Sequence, residues 1–261
     1  MNLHKLYLTK NECYQAAAPI VPAGIMVHST GANNPRLSRY VGPDDGLLGA
    51  NPYGNHWNQP RPDGRQVCPH AFIGRLADGS VATYQVLPWT IRGWHSASGP
   101  AGSANRMGYL GVEICEDGLT DAAYFAAVYR EAVELCAYWC RTFGIRPEKP
   151  KLIDHAEGHA LGIASNHGDV AHWFPRFGKS MDSFRRDVAA LLAAEAQSAS
   201  ADSPAASADK PSGPPDAADH WAADAWEAVY TAGVLDGTRP REAVTRQELA
   251  VVMERRGMHG E

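Results

Sequence analysis

The sequence predicts an α/β fold, with a central mixed sheet of about five or six strands, helices on its faces and a small helical module at the C-terminal end. Three observations support this prediction. Short apolar runs bounded by turn residues alternate with longer amphipathic stretches, two of the apolar runs form a hairpin pattern, and the composition changes abruptly late in the chain. At 261 residues the chain can hold one medium domain and a small one.

The predicted strands are short and mostly apolar. Residues 22–30, 111–115 and 151–154 are interpreted as buried strands, and residues 70–76 and 81–87 flank the turn at 77–80. A turn that contains Asp-Gly between two such runs is typical of a β-hairpin.

Two segments have the apolar spacing of amphipathic helices. The first covers about residues 121–143 and has Thr120 and Asp121 as candidate N-caps. The second covers residues 180–195 and can be capped by Ser180. Together with the strands, these helices complete a main domain at residues 1–195.

Beyond this domain, residues 196–218 are rich in Ala, Ser, Pro and Asp and have no apolar periodicity, which predicts a flexible linker. Residues 219–261 then follow a helix–loop–helix pattern, in which Thr245 and Glu248 form a capping box. So small a module buries little surface alone, so we expect it to need a partner surface, a second copy or the main domain.

Net charge and cysteine content indicate which partners and which cellular compartment to expect. The net charge is −5 and no Lys/Arg cluster stands out, which argues against a nucleic-acid partner. The five Cys form no C-x-x-C pair, and Cys136 and Cys140 are expected to be buried thiols of a chain folded in a reducing cytoplasm. No signal peptide or membrane span is predicted, so a target outside the membrane would require another component for release.

The segment 155–174 concentrates four His and Asp169. Imidazole and carboxylate are ligands of catalytic Zn²⁺ sites, in which three protein groups bind and a fourth position stays open. A lone His at a strand end, such as His28, is more often structural. His155 follows another predicted strand in the same way, and this makes a site of His28, His155 and Asp169 more plausible.

Glu113 is the one charged side chain in the apolar run GVEIC. A carboxylate is costly to bury unless it is paired or its pKa is raised. Glu113 is therefore a candidate general base, and the alternative is a glutamate at a strand edge that faces solvent.

His167 precedes Asp169 by two residues, which allows two interpretations. His167 could donate a hydrogen bond to an oxyanion, or it could itself be the third ligand with Asp169 as its orienting partner. Spacing leaves both open. We expect His159 and His172 to be structural.

These motifs together resemble the zinc-dependent N-acetylmuramoyl-L-alanine amidases of the type 2 amidase and peptidoglycan-recognition fold, and most of all the endolysins of phages and prophages of Gram-positive hosts. The resemblance covers about residues 1–195. It lies in VHST with His28, HAFIGRLADGSV with His70, WHS with His95, GVEIC with Glu113, and the loop that ends in DVAHWF.

The resemblance implies a role for each matching residue. Zinc would be held by His28, His155 and Asp169, the last of which matches the aspartate of the family's D-P-G-x-x-F ending. Glu113 matches a strand glutamate that activates water, and His167 stands where relatives place a Lys or His. The loop between His155 and Asp169 is longer than in the family's short forms.

The resemblance also implies the reaction: hydrolysis of the amide between the lactyl group of N-acetylmuramic acid and L-Ala of the stem peptide. The partner would be bacterial peptidoglycan, met by a groove that contains His70, Trp94, His95, Asn105 and Arg106. Arg106 could pair with a stem-peptide carboxylate. We expect a bacteriolytic, antimicrobial enzyme made in the cytoplasm and released to the wall by a holin.

The C-terminal module is similar to an S-layer-homology repeat in its motifs WAADA, GVLDG and VTRQELA. This similarity implies attachment to a secondary cell-wall polymer, and the alternative is a helical hairpin that forms a homodimer.

Two other classes of function compete with the amidase. One is a peptidoglycan-binding recognition protein of the same fold without catalysis, against which the full ligand set argues. The other is a zinc peptidase that cuts within the stem peptide, although no H-E-x-x-H motif occurs.

Overall fold

The computed structural model describes residues 1–201, which contain a six-stranded mixed sheet flanked by helices. The strands are β1 (Leu3–Lys5), β2 (Gly24–Ser29), β3 (Ala71–Arg75), β4 (Val81–Gln85), β5 (Tyr109–Ile114) and β6 (Leu152–Asp154). Their order across the sheet is β1-β4-β3-β5-β2-β6. Strands β3 and β4 pair antiparallel and every other pair is parallel. The predicted α/β fold class is confirmed.

The helices are α1 (Glu12–Ala16), α2 (Ala122–Phe143), α3 (His155–Ala160), α4 (Val170–Trp173) and α5 (Met181–Ala201). Asp121 caps α2 as predicted, because its Oδ1 accepts the N–H groups of Ala123 and Tyr124, both at 3.0 Å. Ser180 accepts the N–H of Ser183 at the start of α5. None of the described helices is both long enough and apolar enough to span a bilayer.

Successive side chains along each strand point to opposite faces of the sheet. Ile25 and Val27 of β2 belong to the core that includes α2 and α5, together with Val112 of β5. His28 and Glu113 are the next residues along these strands, so their side chains belong to the opposite face. The parallel register pairs His28 with Glu113 directly. The fold therefore places these two polar side chains next to each other.

The structure contains elements that the sequence pattern did not predict, namely β1, α1, α3 and α4, and β5 begins two residues earlier than expected. Helix α3 replaces the first part of the expected His-rich loop. Its N-terminus is a capping box: Asp154 Oδ1 accepts the N–H of Glu157 at 2.7 Å, and Glu157 Oε2 accepts the N–H of Asp154 at 3.4 Å.

All five cysteines are buried free thiols, including Cys136 and Cys140 of α2, as expected for that pair. Helix α5 extends to Ala201, so the first residues of the expected linker are helical. The rest of that linker and the module at 219–261, with its Thr245–Glu248 capping box, lie outside the described residues.

Candidate metal centre and active-site pocket

Three segments that are distant in sequence bring His28, His155 and Asp169 together. His28 lies on β2, His155 is the first residue of α3, and Asp169 immediately precedes α4. All three are buried, with exposed fractions of 1%, 5% and 5%. Each offers one ligand atom, and the three atoms lie within 4.8 Å of one another. This group could hold a metal ion.

Two of the three distances within the group are those expected around a tetrahedral ion. His28 Nδ1 is 3.2 Å from both Asp169 Oδ2 and His155 Nδ1, and His155 Nδ1 is 2.6 Å from Asp169 Oδ2. A tetrahedral ion with bonds of about 2.0–2.1 Å separates its ligand atoms by about 3.3 Å. Two separations match this value, and the third needs only a small opening of the His155–Asp169 contact.

The hydrogen bonds around His28 select the tautomer that a metal requires. His95 Nε2 is 3.0 Å from the carbonyl oxygen of Tyr109, which can only accept, so this nitrogen carries the hydrogen. In neutral His95, Nδ1 must then accept from His28 Nε2–H at 2.9 Å. Nδ1 of His28 keeps its lone pair and points into the group of three. Burial also lowers the pKa of His28, despite the nearby Asp169 carboxylate, and this favours the neutral ligand form.

His155 is held in a similar way, because its Nε2 lies 3.1 Å from Ser165 Oγ. Outer hydrogen bonds of this kind fix the orientation of a histidine ligand. The Nδ1 atoms of both histidines are therefore directed at Asp169.

Asp169 is an ionised carboxylate on a strained backbone. Burial alone would raise the pKa of Asp169, but the adjacent imidazoles of His155 and His28 outweigh this effect and hold the pKa well below its usual range. The backbone has φ 38° and ψ −129°, a conformation that favours glycine. Such strain at a non-glycine residue persists only where the surroundings enforce it.

Glu113 lies beside this group and has an unused oxygen. Its Oε2 is buried and has no hydrogen-bond partner among the described residues. Burial raises the pKa of Glu113 well above its ordinary value, and the negative charges of Asp169 and Glu116 add to this while Arg65 opposes it. Glu113 has the environment expected of a proton-accepting group rather than of a solvent-facing strand edge.

His167 lies at the rim of the site, outside the group of three. Its side chain is 63% exposed, its Nδ1 is 3.3 Å from Asp169 Oδ1, and its ring stacks on that of His155 at a centroid distance of 5.3 Å. This arrangement leaves His167 free to meet a bound molecule. Between the two interpretations of the sequence, it favours Asp169 as the ligand.

A pocket of about 490 Å³ opens over these residues. Trp94 and His95 line it, as the sequence analysis expected. Further lining residues were not predicted, among them Trp57, Arg65 and Ser96. No motif marks Trp57 or Arg65, because they lie in irregular segments that tertiary contacts bring to the pocket, and Ser96 belongs to the WHS motif but was not selected.

Three expected groove residues do not line the pocket. His70 is fully buried, where its Nδ1 accepts the N–H of Gly111 at 2.9 Å and its Nε2–H donates to the carbonyl oxygen of Ile91 at 3.0 Å. Asn105 is also fully buried, and its Oδ1 accepts the N–H of His95 at 3.0 Å. Arg106 is exposed but outside the pocket lining. His70 and Asn105 position neighbouring backbone instead of forming the groove surface.

The two remaining histidines of the His-rich segment make polar contacts outside the group of three. His159 Nδ1 is 3.3 Å from the carbonyl oxygen of Ala164. His172 Nε2 is 3.0 Å from Glu116 Oε1.

Comparison with known families agrees with this geometry. The family model described as N-acetylmuramoyl-L-alanine amidase, of the Amidase_2 type, matches residues 18–172. The chain belongs to this family. The matched range includes His28, Glu113, His155, His167 and Asp169, so the whole candidate site of this amidase-family chain lies within it. No curated protein sequence matches the chain significantly.

Solved structures share the fold at low sequence identity. The crystal structure of Staphylococcus aureus hydrolase AmiA in complex with its ligand is 16% identical, with a TM-score of 0.50 over 76% of this chain and 86% of AmiA. The solution structure of the PlyG catalytic domain is 18% identical, with a TM-score of 0.50 over 74% of this chain and 96% of that domain. A mutant endolysin from Bacillus subtilis is 20% identical, with a TM-score of 0.48 over 72% and 99% of the two chains. At these identities the likeness to AmiA and PlyG shows the amidase-family fold.

Proposed function

We propose that this chain is a zinc-dependent N-acetylmuramoyl-L-alanine amidase, which hydrolyses the amide between the lactyl group of N-acetylmuramic acid and L-Ala of the stem peptide. One observation carries the proposal: in a chain of the amidase family, a buried His28–His155–Asp169 group lies beside the unpartnered carboxylate of Glu113 at the base of a pocket.

His28, His155 and Asp169 would hold the zinc through Nδ1, Nδ1 and Oδ2. Two neutral imidazoles and one carboxylate suit Zn²⁺ and leave its fourth position open. When bound, zinc would polarise the scissile carbonyl and acidify the attacking water.

The proton of the attacking water passes to the carboxylate of Glu113, which faces the same pocket and has Oε2 available. His167, exposed at the rim, donates a hydrogen bond to the oxygen of the former carbonyl as negative charge develops there. Glu113 can later return its proton to the leaving amine of L-Ala.

The pocket suits an amphipathic polymer such as peptidoglycan. Trp57 and Trp94 provide flat apolar surfaces for sugar or peptide, and Arg65 and Ser96 provide polar contacts. The motif resemblance supports a bacteriolytic endolysin role with release by a holin. Attachment to a wall polymer, or homodimer formation, through residues 219–261 belongs to the same proposal.

Digestion of purified bacterial walls tests the reaction. We expect turbidity to fall and free L-Ala amino groups to appear without new reducing ends. Chelation with EDTA should stop the reaction and added Zn²⁺ should restore it. His28→Ala, with a native fold by circular dichroism, is the matched control and should bind no zinc and release no amine.

The competing functions give different products. A recognition protein would bind walls and release no amine. A peptidase would free an amino group other than that of L-Ala. Either result would contradict the amidase proposal.

A further inference from the structure

Glu116 is a buried carboxylate that the proposed reaction does not use. It lies two residues beyond the end of β5 and is only 4% exposed. Burial of a carboxylate is costly unless hydrogen bonds compensate for it. The partners of Glu116 therefore indicate what its burial achieves.

These partners come from two different segments. Glu116 Oε1 accepts a hydrogen bond from Ser29 Oγ at 2.5 Å and lies 3.0 Å from Nε2 of His172. The backbone N–H of Glu116 donates to Thr30 Oγ1 at 3.1 Å. One oxygen atom thus joins the end of β2 to helix α4.

Each of these segments carries a residue of the candidate metal group. Ser29 directly follows His28. His172 lies three residues after Asp169, and its backbone N–H donates to the carbonyl oxygen of Asp169 at 3.3 Å. The backbone conformation of Asp169 is strained and would not persist by itself. The segment that follows Asp169 therefore needs a stabilising contact with another part of the protein. Glu116 provides this contact through the ring of His172.

We propose that Glu116 is a positioning residue for the metal centre. It fixes the segment after His28 relative to the segment after Asp169, and so sets the distance between the His28 and Asp169 ligand atoms. The inference rests on the zinc site of the proposed function. Glu116 itself lies outside the group of three that would bind the ion.

A second buried carboxylate supplies a matched control. Glu131 of α2 is 7% exposed, and its Oε1 accepts from Thr83 Oγ1 and from the backbone N–H of Asn2, both at 2.8 Å. Its partners belong to β4 and to the residue before β1, far across the sheet from β2 and β6. Loss of Glu131 should destabilise the fold without moving a metal ligand.

The experiment compares zinc affinity in full-length Glu116→Ala, Glu116→Gln and Glu131→Ala proteins, by competition for Zn²⁺ with a chromogenic chelator. Loss of a group that hydrogen-bonds a metal ligand typically costs about 10–100-fold in metal affinity; because Glu116 acts through Ser29 and His172, we expect a loss at the lower end, about 10-fold, for Glu116→Ala. Glu116→Gln should recover most of the affinity, because its amide oxygen can accept the hydrogen bond of Ser29 Oγ and can still lie against His172 Nε2. Glu131→Ala should bind zinc as tightly as the parent protein while unfolding at lower urea concentration.

His172→Ala removes the other partner of the Glu116–His172 contact. It tests the same inference if Glu116→Ala does not fold. The exposed ring of His172 can be removed without opening the core, and zinc affinity should fall. If both single variants fold, the double variant should lose little more than Glu116→Ala alone, because both changes break one connection.

The outcomes separate this inference from the proposed function. A parent protein that binds zinc, together with Glu116→Ala and His172→Ala proteins of unchanged affinity, would overturn the positioning role alone. An equal loss of affinity in Glu131→Ala would also overturn it, by showing a general effect of stability. A parent protein that binds no zinc would overturn the metal centre and this inference together.

Discussion

Two carboxylates of the pocket, Glu113 and Asp169, have opposite electrostatic environments. Burial next to negative charge raises the pKa of Glu113, whereas two adjacent imidazoles lower the pKa of Asp169. Neighbouring acids whose pKa values are pushed apart are typical of sites where one accepts a proton and the other stays ionised. The two residues are therefore suited to different roles within one pocket.

Glu113→Gln should keep the fold and the zinc but lose about 10²–10⁴-fold in kcat, because the amide cannot accept the proton of water. In the parent enzyme kcat/KM should fall as the pH is lowered through the pKa of Glu113, at a midpoint above the ordinary value of 4.5, since the base works only when deprotonated. Rates of amine release across pH test both points. A loss of less than about threefold would assign Glu113 a structural role.

Asp169→Ala and His167→Ala should behave differently. The first should abolish zinc binding, because Asp169 lies within the group of three ligand atoms. The second should retain zinc and slow turnover by about 10²–10³-fold, as for the loss of one oxyanion donor. Metal analysis and wall digestion of the two proteins measure this, and zinc lost only in His167→Ala would reverse the assignment.

Backbone strain at Asp169 predicts an unusual order of stabilities. Neither Asp169→Gly nor Asp169→Ala keeps the carboxylate, but only glycine adopts φ 38° without cost. The metal-free glycine variant should therefore be more stable than the alanine variant by about 1–3 kcal/mol in urea unfolding. Equal stabilities would show that the strain relaxes in the metal-free protein.

At the scale of secondary structure, the sequence predicted the elements that have strong periodic patterns. Strands β2 to β6 and helices α2 and α5 were expected from apolar runs and caps. The three-residue strand β1 has no such pattern, because Leu3 and Lys5 are exposed and pairing with β4 alone defines it. Helix α3 contains Gly158 and two histidines, which are poor helix formers, and its Asp154-x-x-Glu157 capping box was the available signal.

Tertiary contacts explain what the site analysis could not predict. His28, Glu113 and His155 could be selected because strand ends and apolar runs mark them. The pocket positions of Trp57 and Arg65 depend on an irregular segment. The buried positions of His70 and Asn105 depend on backbone partners that are distant in sequence, so their polar character alone suggested a groove.

His70 joins β5 to the segment at Ile91 through a buried ring. The burial of this ring predicts that the stability of the protein depends on pH. Burial lowers the pKa of His70 from 6.5 to about 4. The unfolded chain therefore binds a proton near pH 6.5 while the folded protein does not, so stability falls as the pH is lowered from 6.5 to 4. This difference corresponds to about 3 kcal/mol.

His70→Gln, whose amide keeps one donor and one acceptor, should reduce that loss. Urea unfolding of parent and variant between pH 6.5 and 4, with chelator present, measures the two slopes. Curves that stay parallel would show that other groups, such as His28 and His95, account for the whole effect.

At the scale of the whole molecule, residues 1–201 contain the six-stranded sheet, its cores and the pocket. A protein truncated after Ala201 should therefore fold, bind zinc and hydrolyse small soluble muropeptides like the full chain. On intact walls it should bind more weakly, because a linked second binding module raises the effective concentration at the surface.

Sedimentation of both proteins with purified walls, together with size-exclusion chromatography, measures the effect of the truncation. Unchanged wall binding with a shift from dimer to monomer would identify residues 219–261 as an assembly module and contradict wall attachment.

The candidate ligands are two imidazoles and a carboxylate, and all five thiols of the chain are buried outside that group. Oxidants and alkylating agents inactivate thiolate metal centres by converting sulfur to disulfides, sulfinic acids or thioethers. No atom of His28, His155 or Asp169 offers that reaction. A metal held by this group would therefore stay bound under aerobic, peroxide-rich conditions that oxidise the thiolates of a cysteine-ligated site.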